Sequence, residues 1–136
     1  MTAATLRRPP TMTTSAGARL ATAVEGLGNA LADAAAANDR DAAFAQASVT
    51  MLRDAGVLGA CAPESDGGGG LTSLYDLAVL TGQIAEYDAS VAIGVSMHFG
   101  LSWYFGRWQR VNPVVRVKGR FSRRLRYGNA ELALER

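Results

Sequence analysis

Few side chains in this 136-residue chain can do chemistry. There is one histidine, His98, and one cysteine, Cys61. His98 is the only side chain type present that titrates near neutral pH without help. No carboxylate lies at a helical spacing from it, so a packing role outweighs a catalytic one. Cys61 closes the apolar run Val57–Cys61 and has no neighbouring cation to lower its pKa, which predicts a small buried residue rather than a reactive thiolate. A single cysteine forbids an intramolecular disulfide, and one cysteine with one histidine cannot build a structural zinc site, so no metal is expected. Gly67-Gly68-Gly69-Gly70 can in principle turn successive amides toward a phosphate. No Walker lysine follows and no strand precedes, so a flexible turn is the better reading. The remaining candidates for a cavity wall are Ser90, Trp103 and His98 itself, although Ser90 is expected first of all to cap helix four. No catalytic residue is assigned.

These residues sit in a pattern of helices. Met1–Ser15 is rich in Thr, Ala and Pro, lacks apolar periodicity, and predicts disorder. Leu20, Val24, Leu27 and Leu31 recur at spacings of four, three and four, predicting an amphipathic helix over 16–36. Gly26 and Gly28 each cost it up to about 1 kcal/mol relative to alanine, so packing must hold it. Asn38 or Asp39 can cap a second helix over 40–55, with Phe44, Ala47, Met51, Leu52 and Ala55 as its apolar face and Gly56 at its end. Pro63 and the four glycines make the next stretch a loop. Ser73 can cap a third helix ending near Tyr87 or Asp88, striped by Leu74, Leu77, Leu80 and Ile84. A fourth follows over 89–105. Ala89–Gly106 is uncharged throughout, which predicts burial on every side. Its three pairs of small residues, Ser90/Gly94, Ser96/Gly100 and Ser102/Gly106, point in different directions and make no single dimerisation stripe. The fold class is therefore all-α, an up-and-down bundle of about four helices between a disordered amino terminus and an irregular basic tail.

Charge divides the chain near Gly106. Residues 1–106 carry five Arg against ten Asp or Glu, a balance of −5, and residues 107–136 carry nine Lys or Arg against two Glu, a balance of +7. Such a tail can attract nucleic acid or an anionic membrane, but a solvated end is the simpler account. Eighteen uncharged residues just reach the length of a membrane span, yet the glycines, serines and His98 make helix four less apolar than such spans are. Met1–Thr14 has Arg7 and Arg8 but then Pro9, Pro10 and threonines in place of an apolar core, so no secretory signal is evident and a cytoplasmic location is expected.

The order of the pieces is more specific than any one of them. Leu52-x-x-x-Gly56-Val57-Leu58-Gly59 is followed by Pro63-Glu64-x-x-Gly67-Gly68-x-Gly70-Leu71, by helix three, and then by Ile84-Ala85-Glu86-x-Asp88-Ala89-Ser90-Val91-Ala92. Over residues 16–106 this resembles the amino-terminal helical domain of acyl-CoA dehydrogenases, including a histidine in helix four. The resemblance implies a three-part flavoenzyme whose later β-barrel and helical-bundle domains hold FAD between them. It implies α,β-dehydrogenation of an acyl-CoA thioester, or flavin-dependent oxygenation in a related branch. The helices present here would wall the substrate cavity and support subunit packing, with Trp103 and Tyr104 able to line an acyl pocket. FAD would not be bound by this chain alone, since neither flavin site nor catalytic base is recognisable in it. The Arg-rich stretch from Arg107 departs from the family pattern, as a shifted reading frame or a truncated gene would. Exposed apolar surface on helices three and four, hence self-association, is expected of the isolated chain. The alternative reading is a small helical module that binds nucleic acid or membrane through the Arg-rich tail and helix four.

Overall fold

A computed structural model describes residues 10–111, with side chains as far as Arg107. The expectations placed on 1–9 and on the tail beyond Val111 lie outside the described residues. Among those described, four α-helices form a bundle: α1 (Ser15–Asp41), α2 (Gln46–Asp54), α3 (Leu74–Tyr87) and α4 (Ala89–Val111); α3 runs parallel to α1, Asp76 lying beside Thr14, Gln83 beside Ala21 and Tyr87 beside Gly28. Two short 3-10 turns, Val57–Gly59 and Glu64–Asp66, interrupt the connection from α2 to α3. No strand is present among the described residues. α3 lies between α1 and α4, and α2 packs across α1. Leu20, Val24 and Leu31 of α1 meet Leu52, Val57, Leu71, Leu77, Leu80, Ile84, Val95 and Phe99 in one core.

Ordered structure begins earlier than the composition of 1–15 suggests. Thr14 caps α1, its hydroxyl accepting from the Gly17 amide at 3.0 Å. The buried carboxylate of Asp76, in the first turn of α3, accepts from the amide and hydroxyl of Thr13 and from the amide and hydroxyl of Thr14. Burial alone would push its pKa up, but the bonds from the Thr14 hydroxyl, the Thr13 amide and hydroxyl and the Thr14 amide outweigh that and hold it below the ordinary 3.8. A side chain at Gly17 would meet Asp76 Oδ2 at 2.6 Å, so glycine is what lets α1 approach this anchor.

α1 also runs past its expected end. The stretch Ala34–Asp41 contains neither glycine nor proline, and the helix continues until Ala42 takes a left-handed conformation with φ 49°. Its amide and that of Ala43 both donate to the Asn38 carbonyl. Asn38 and Asp39 are therefore inside α1 and cap nothing, and α2 starts only at Gln46. Phe44 consequently falls in the connection and is 77% exposed rather than on the buried face of α2.

α4 is capped by Asp88, whose Oδ1 accepts from the Val91 amide at 3.0 Å. Ser90, expected in that role, lies two residues past the cap and is inside the helix. The other carboxylate oxygen of Asp88 accepts from the buried Ser48 hydroxyl of α2 at 2.9 Å. The uniform burial expected of α4 is not found. Val91, Ala92, Val95 and Phe99 are buried against the bundle, while Ile93, Met97, Leu101, Tyr104 and Phe105 face outward, because the described elements cover only one side of the helix.

Candidate functional site

The loop of four glycines is an ordered turn held by its own backbone. Gly67 donates to Glu64 O, Gly68 to Pro63 O, Gly69 to Gly59 O and Gly70 to Ala62 O, at 2.8 to 3.0 Å. With all four amides committed internally, none is left to cradle a phosphate. Arg19 of α1 adds an ion pair to Glu64, whose exposed setting gives it little energetic weight.

A groove of about 650 Å3 opens between the end of α1, the α1–α2 connection and one flank of α4. Ser90 and His98 both line it, together with Val91, Gly94 and Val95. The groove also contains Asn38, Asp39, Phe44, Val49, Leu58 and Asp88. It is largely apolar, with a few polar groups, as small-molecule sites commonly are. His98 bridges α4 to the connection after α2, its Nε2 donating to the Leu58 carbonyl at 3.0 Å. That bond fixes the ring at the groove wall. Asn38 lies along the opposite wall, but its side-chain Nδ2 is buried and has no hydrogen-bond partner among the described residues. Being closed to solvent, that donor is closed to a ligand in the groove as well.

Trp103, the third sequence candidate, does not line this groove. Its Nε1 donates to the Thr72 carbonyl at 2.9 Å, and Arg107 stacks over the ring at 5.6 Å from its centroid. It ties the far end of α4 to the start of α3. Two of the three candidates thus come together and one does not. The acidic side chains of the groove were not anticipated. Asp39 is expected at a cap, and Asp88, an Asp directly before helix four, carries a cap signal that the choice of Ser90 passed over.

A second, smaller hollow of about 400 Å3 lies beside the start of α1, lined by Thr14, Ser15, Cys61, Glu64 and Thr72. Cys61 faces the core, with its thiol directed to the Phe99 carbonyl at 3.8 Å. Among the described residues no group of three or more His, Cys, Asp or Glu is placed to hold a metal ion. No described helix is long and apolar enough to cross a membrane.

Residues 18–108 match the family model described as the acyl-CoA dehydrogenase N-terminal domain. The chain belongs to this family. Three curated relatives are similar to parts of it. An amino sugar nitrososynthase of Streptomyces peucetius is 39% identical over 105 residues, covering 76% of this chain and 26% of that protein. An L-evernosamine nitrososynthase of Micromonospora sp. is 35% identical over 117 residues, covering 85% of this chain and 27% of that protein. An amino sugar nitrososynthase of Streptomyces rubradiris is 43% identical over 65 residues, covering 48% of this chain and 15% of that protein. The chain thus spans about a quarter of the length of the first two. No solved structure matches.

Acyl-CoA dehydrogenase-like flavoenzymes imply FAD, whose pyrophosphate is anionic. Neither hollow contains a Lys or Arg, and the larger presents the carboxylate of Asp39. Neither of these two hollows of the acyl-CoA dehydrogenase N-terminal domain therefore fits FAD by itself.

Proposed function

We propose that this chain is the amino-terminal helical part of an FAD-dependent enzyme of the oxygenating branch, acting on the nitrogen of an amino sugar. The observation that carries this reading is the agreement of three relatives. Each is named a nitrososynthase, two for amino sugars and one for L-evernosamine. An amine reaches the nitroso level only by oxidation at nitrogen. The groove supports the same choice. Its one exposed carboxylate, Asp39, with no Lys or Arg in the lining, suits a protonated amine better than the anionic CoA moiety of a thioester. Ser90 and His98 would contribute to its wall, holding and orienting substrate rather than exchanging protons with it. FAD and the reacting groups are supplied from outside the described residues, so the isolated chain is inactive. A cytoplasmic setting, in which a lone cysteine such as Cys61 stays reduced, goes with this reading. The α,β-dehydrogenation of an acyl-CoA thioester is the second reading, favoured by the family description.

A chimera separates the two. Residues 18–108 would replace the matching segment of the Streptomyces peucetius amino sugar nitrososynthase, and flavin content and turnover of its amino sugar would be measured. Retained oxidation at nitrogen supports the first reading. A flavin-loaded chimera that ignores the amino sugar and instead dehydrogenates an acyl-CoA overturns it.

A further inference from the structure

We infer that the groove between the end of α1 and α4 is a monosaccharide subsite, in which Phe44 is the platform for the sugar ring and Asp39 the partner of its ammonium group. The inference rests on the amino-sugar reading above and names the residues of this chain that recognise such a substrate. Asp39 comes from the last turn of α1 and Phe44 from the connection to α2, while Ser90 and Gly94 lie one turn apart on the flank of α4 that lines the groove.

Charge selects the ammonium. The two carboxylates at the groove are not equivalent. Asp88 is 3% exposed, and its oxygens are taken by the Val91 amide and the Ser48 hydroxyl. Asp39 is exposed, and its carboxylate makes no hydrogen bond or ion pair among the described residues. No Lys or Arg lines the groove to compete with a ligand's cation. An anion so placed attracts a protonated amine and repels a carboxylate or phosphate. The Ser90 hydroxyl, also exposed and without a partner among the described residues, is free to bond a sugar hydroxyl.

Shape selects the ring. Phe44 is 77% exposed at the groove wall, so its ring serves no part of the core. A pyranose carries C–H groups on its faces and hydroxyls around its edge. An open aromatic ring takes such a face, and the polar groups beside it take the edge. On α4, a Cβ at Gly94 would meet nothing within 4 Å, so the helix leaves room where the sugar lies. The volume of about 650 Å3 is in the range of small-molecule sites. Because Asp39 and Phe44 are on the exposed side, the amine sits at the rim of the groove, open to reacting groups supplied from outside the described residues.

NMR titration of the isotope-labelled 136-residue chain with D-glucosamine, D-glucose and cyclohexylamine near neutral pH tests this. D-Glucosamine should shift the amides of Phe44, Ser90 and Gly94 but not those of Gly67–Gly70. It should bind about two- to five-fold tighter than D-glucose, as one exposed ion pair allows, and Asp39→Asn should remove that preference. Phe44→Ala should weaken both sugars roughly five-fold, as returning about 40 Å2 of apolar surface to water would. Gly94→Leu, whose Cβ meets nothing, should fill the groove and abolish binding with unchanged far-UV circular dichroism. Equal binding of the two sugars, shifts confined to other surfaces, or an affinity untouched by Phe44→Ala or Gly94→Leu would overturn the assignment. Cyclohexylamine binding as tightly as D-glucosamine would do the same, since the groove would then recognise an amine and not a sugar. The titration requires neither flavin nor turnover. A groove that fails it beside a chimera that oxidises the amino sugar sinks this assignment alone, and a groove that passes beside a chimera that dehydrogenates an acyl-CoA sinks the catalytic reading alone.

Discussion

Asp76 is the residue whose removal this fold should feel most distinctly. It is fully buried and accepts four hydrogen bonds from Thr13 and Thr14, closing a contact across more than sixty residues. In Asp76→Ala the Thr13 donors turn to water at little cost, because Thr13 is exposed. The half-buried amide and hydroxyl of Thr14 lose charge-assisted bonds worth about 1.5–3 kcal/mol each, partly offset by hydration, for a net loss of about 2–4 kcal/mol. At about 3 °C per kcal/mol for a chain of this size, Tm should fall by about 6–12 °C in a circular-dichroism melt. The pH dependence gives an independent check. Because the folded-state pKa lies below the unfolded value near 3.8, the carboxylate stabilises the fold above that value. That contribution is lost as pH falls through the folded pKa. The stability gap between wild type and Asp76→Asn should be constant from pH 7 to about pH 5 and shrink below 3.8. A loss under ~1 kcal/mol, or a gap indifferent to acid, would refute the reasoning.

Other outcomes follow from the same packing. Gly28→Ala should destabilise, since a Cβ there would meet the Tyr87 ring at 2.6 Å, and Gly17→Ala should do so against Asp76. Gly26→Ala, with nothing within 4 Å, should stabilise by up to about 1 kcal/mol; equal effects at 26 and 28 in urea titrations would contradict the packing described. Ser48→Ala should cost about 1–2 kcal/mol, and Asp88→Ala more, because it strands the Ser48 hydroxyl and uncaps α4 together; urea titration should rank them in that order. Trp103→Phe should leave the core intact but speed amide exchange in the last turns of α4, for want of the bond to Thr72. Purified alone, the chain should be colourless between 350 and 500 nm, and copurifying flavin would contradict the mismatch between FAD and the two hollows.

Much of the helical layout is legible in the sequence because apolar spacing and capping agree with each other. Ser73 opens α3 with its hydroxyl accepting from the Asp76 amide, and Leu20, Val24 and Leu31 are buried as their spacing requires. The boundary between α1 and α2 is not legible, because Ala34–Ala45 contains no glycine or proline and the stop is a left-handed alanine. Half of the groove follows from that boundary. Moving it by about a turn and a half carries Phe44 from presumed core, and Asp39 from presumed cap, to a cavity wall. Ser90 and His98 were legible as candidates because they fall on one flank of α4 a little over two turns apart. Trp103, five residues beyond His98, is rotated to another flank and meets α3 instead. The role of Asp76 has no local signal, since its partners lie at residues 13 and 14.

A helix that is apolar on two opposite faces has no hydrophobic reason to prefer one of them for the core. Turning α4 half a revolution would exchange Val91, Val95 and Phe99 for Ile93, Met97 and Tyr104 at little change in burial. Its rotational register is therefore set by polar contacts spaced along its length: the Asp88 carboxylate on the Val91 amide and Ser48, His98 on the Leu58 carbonyl, and Trp103 on the Thr72 carbonyl. In this helix the hydrogen bonds choose the orientation, and apolar contact supplies the adhesion once it is chosen. Removing all of these polar contacts together should thus yield a molecule with native helix content and a misaligned α4, a failure of specificity rather than of folding.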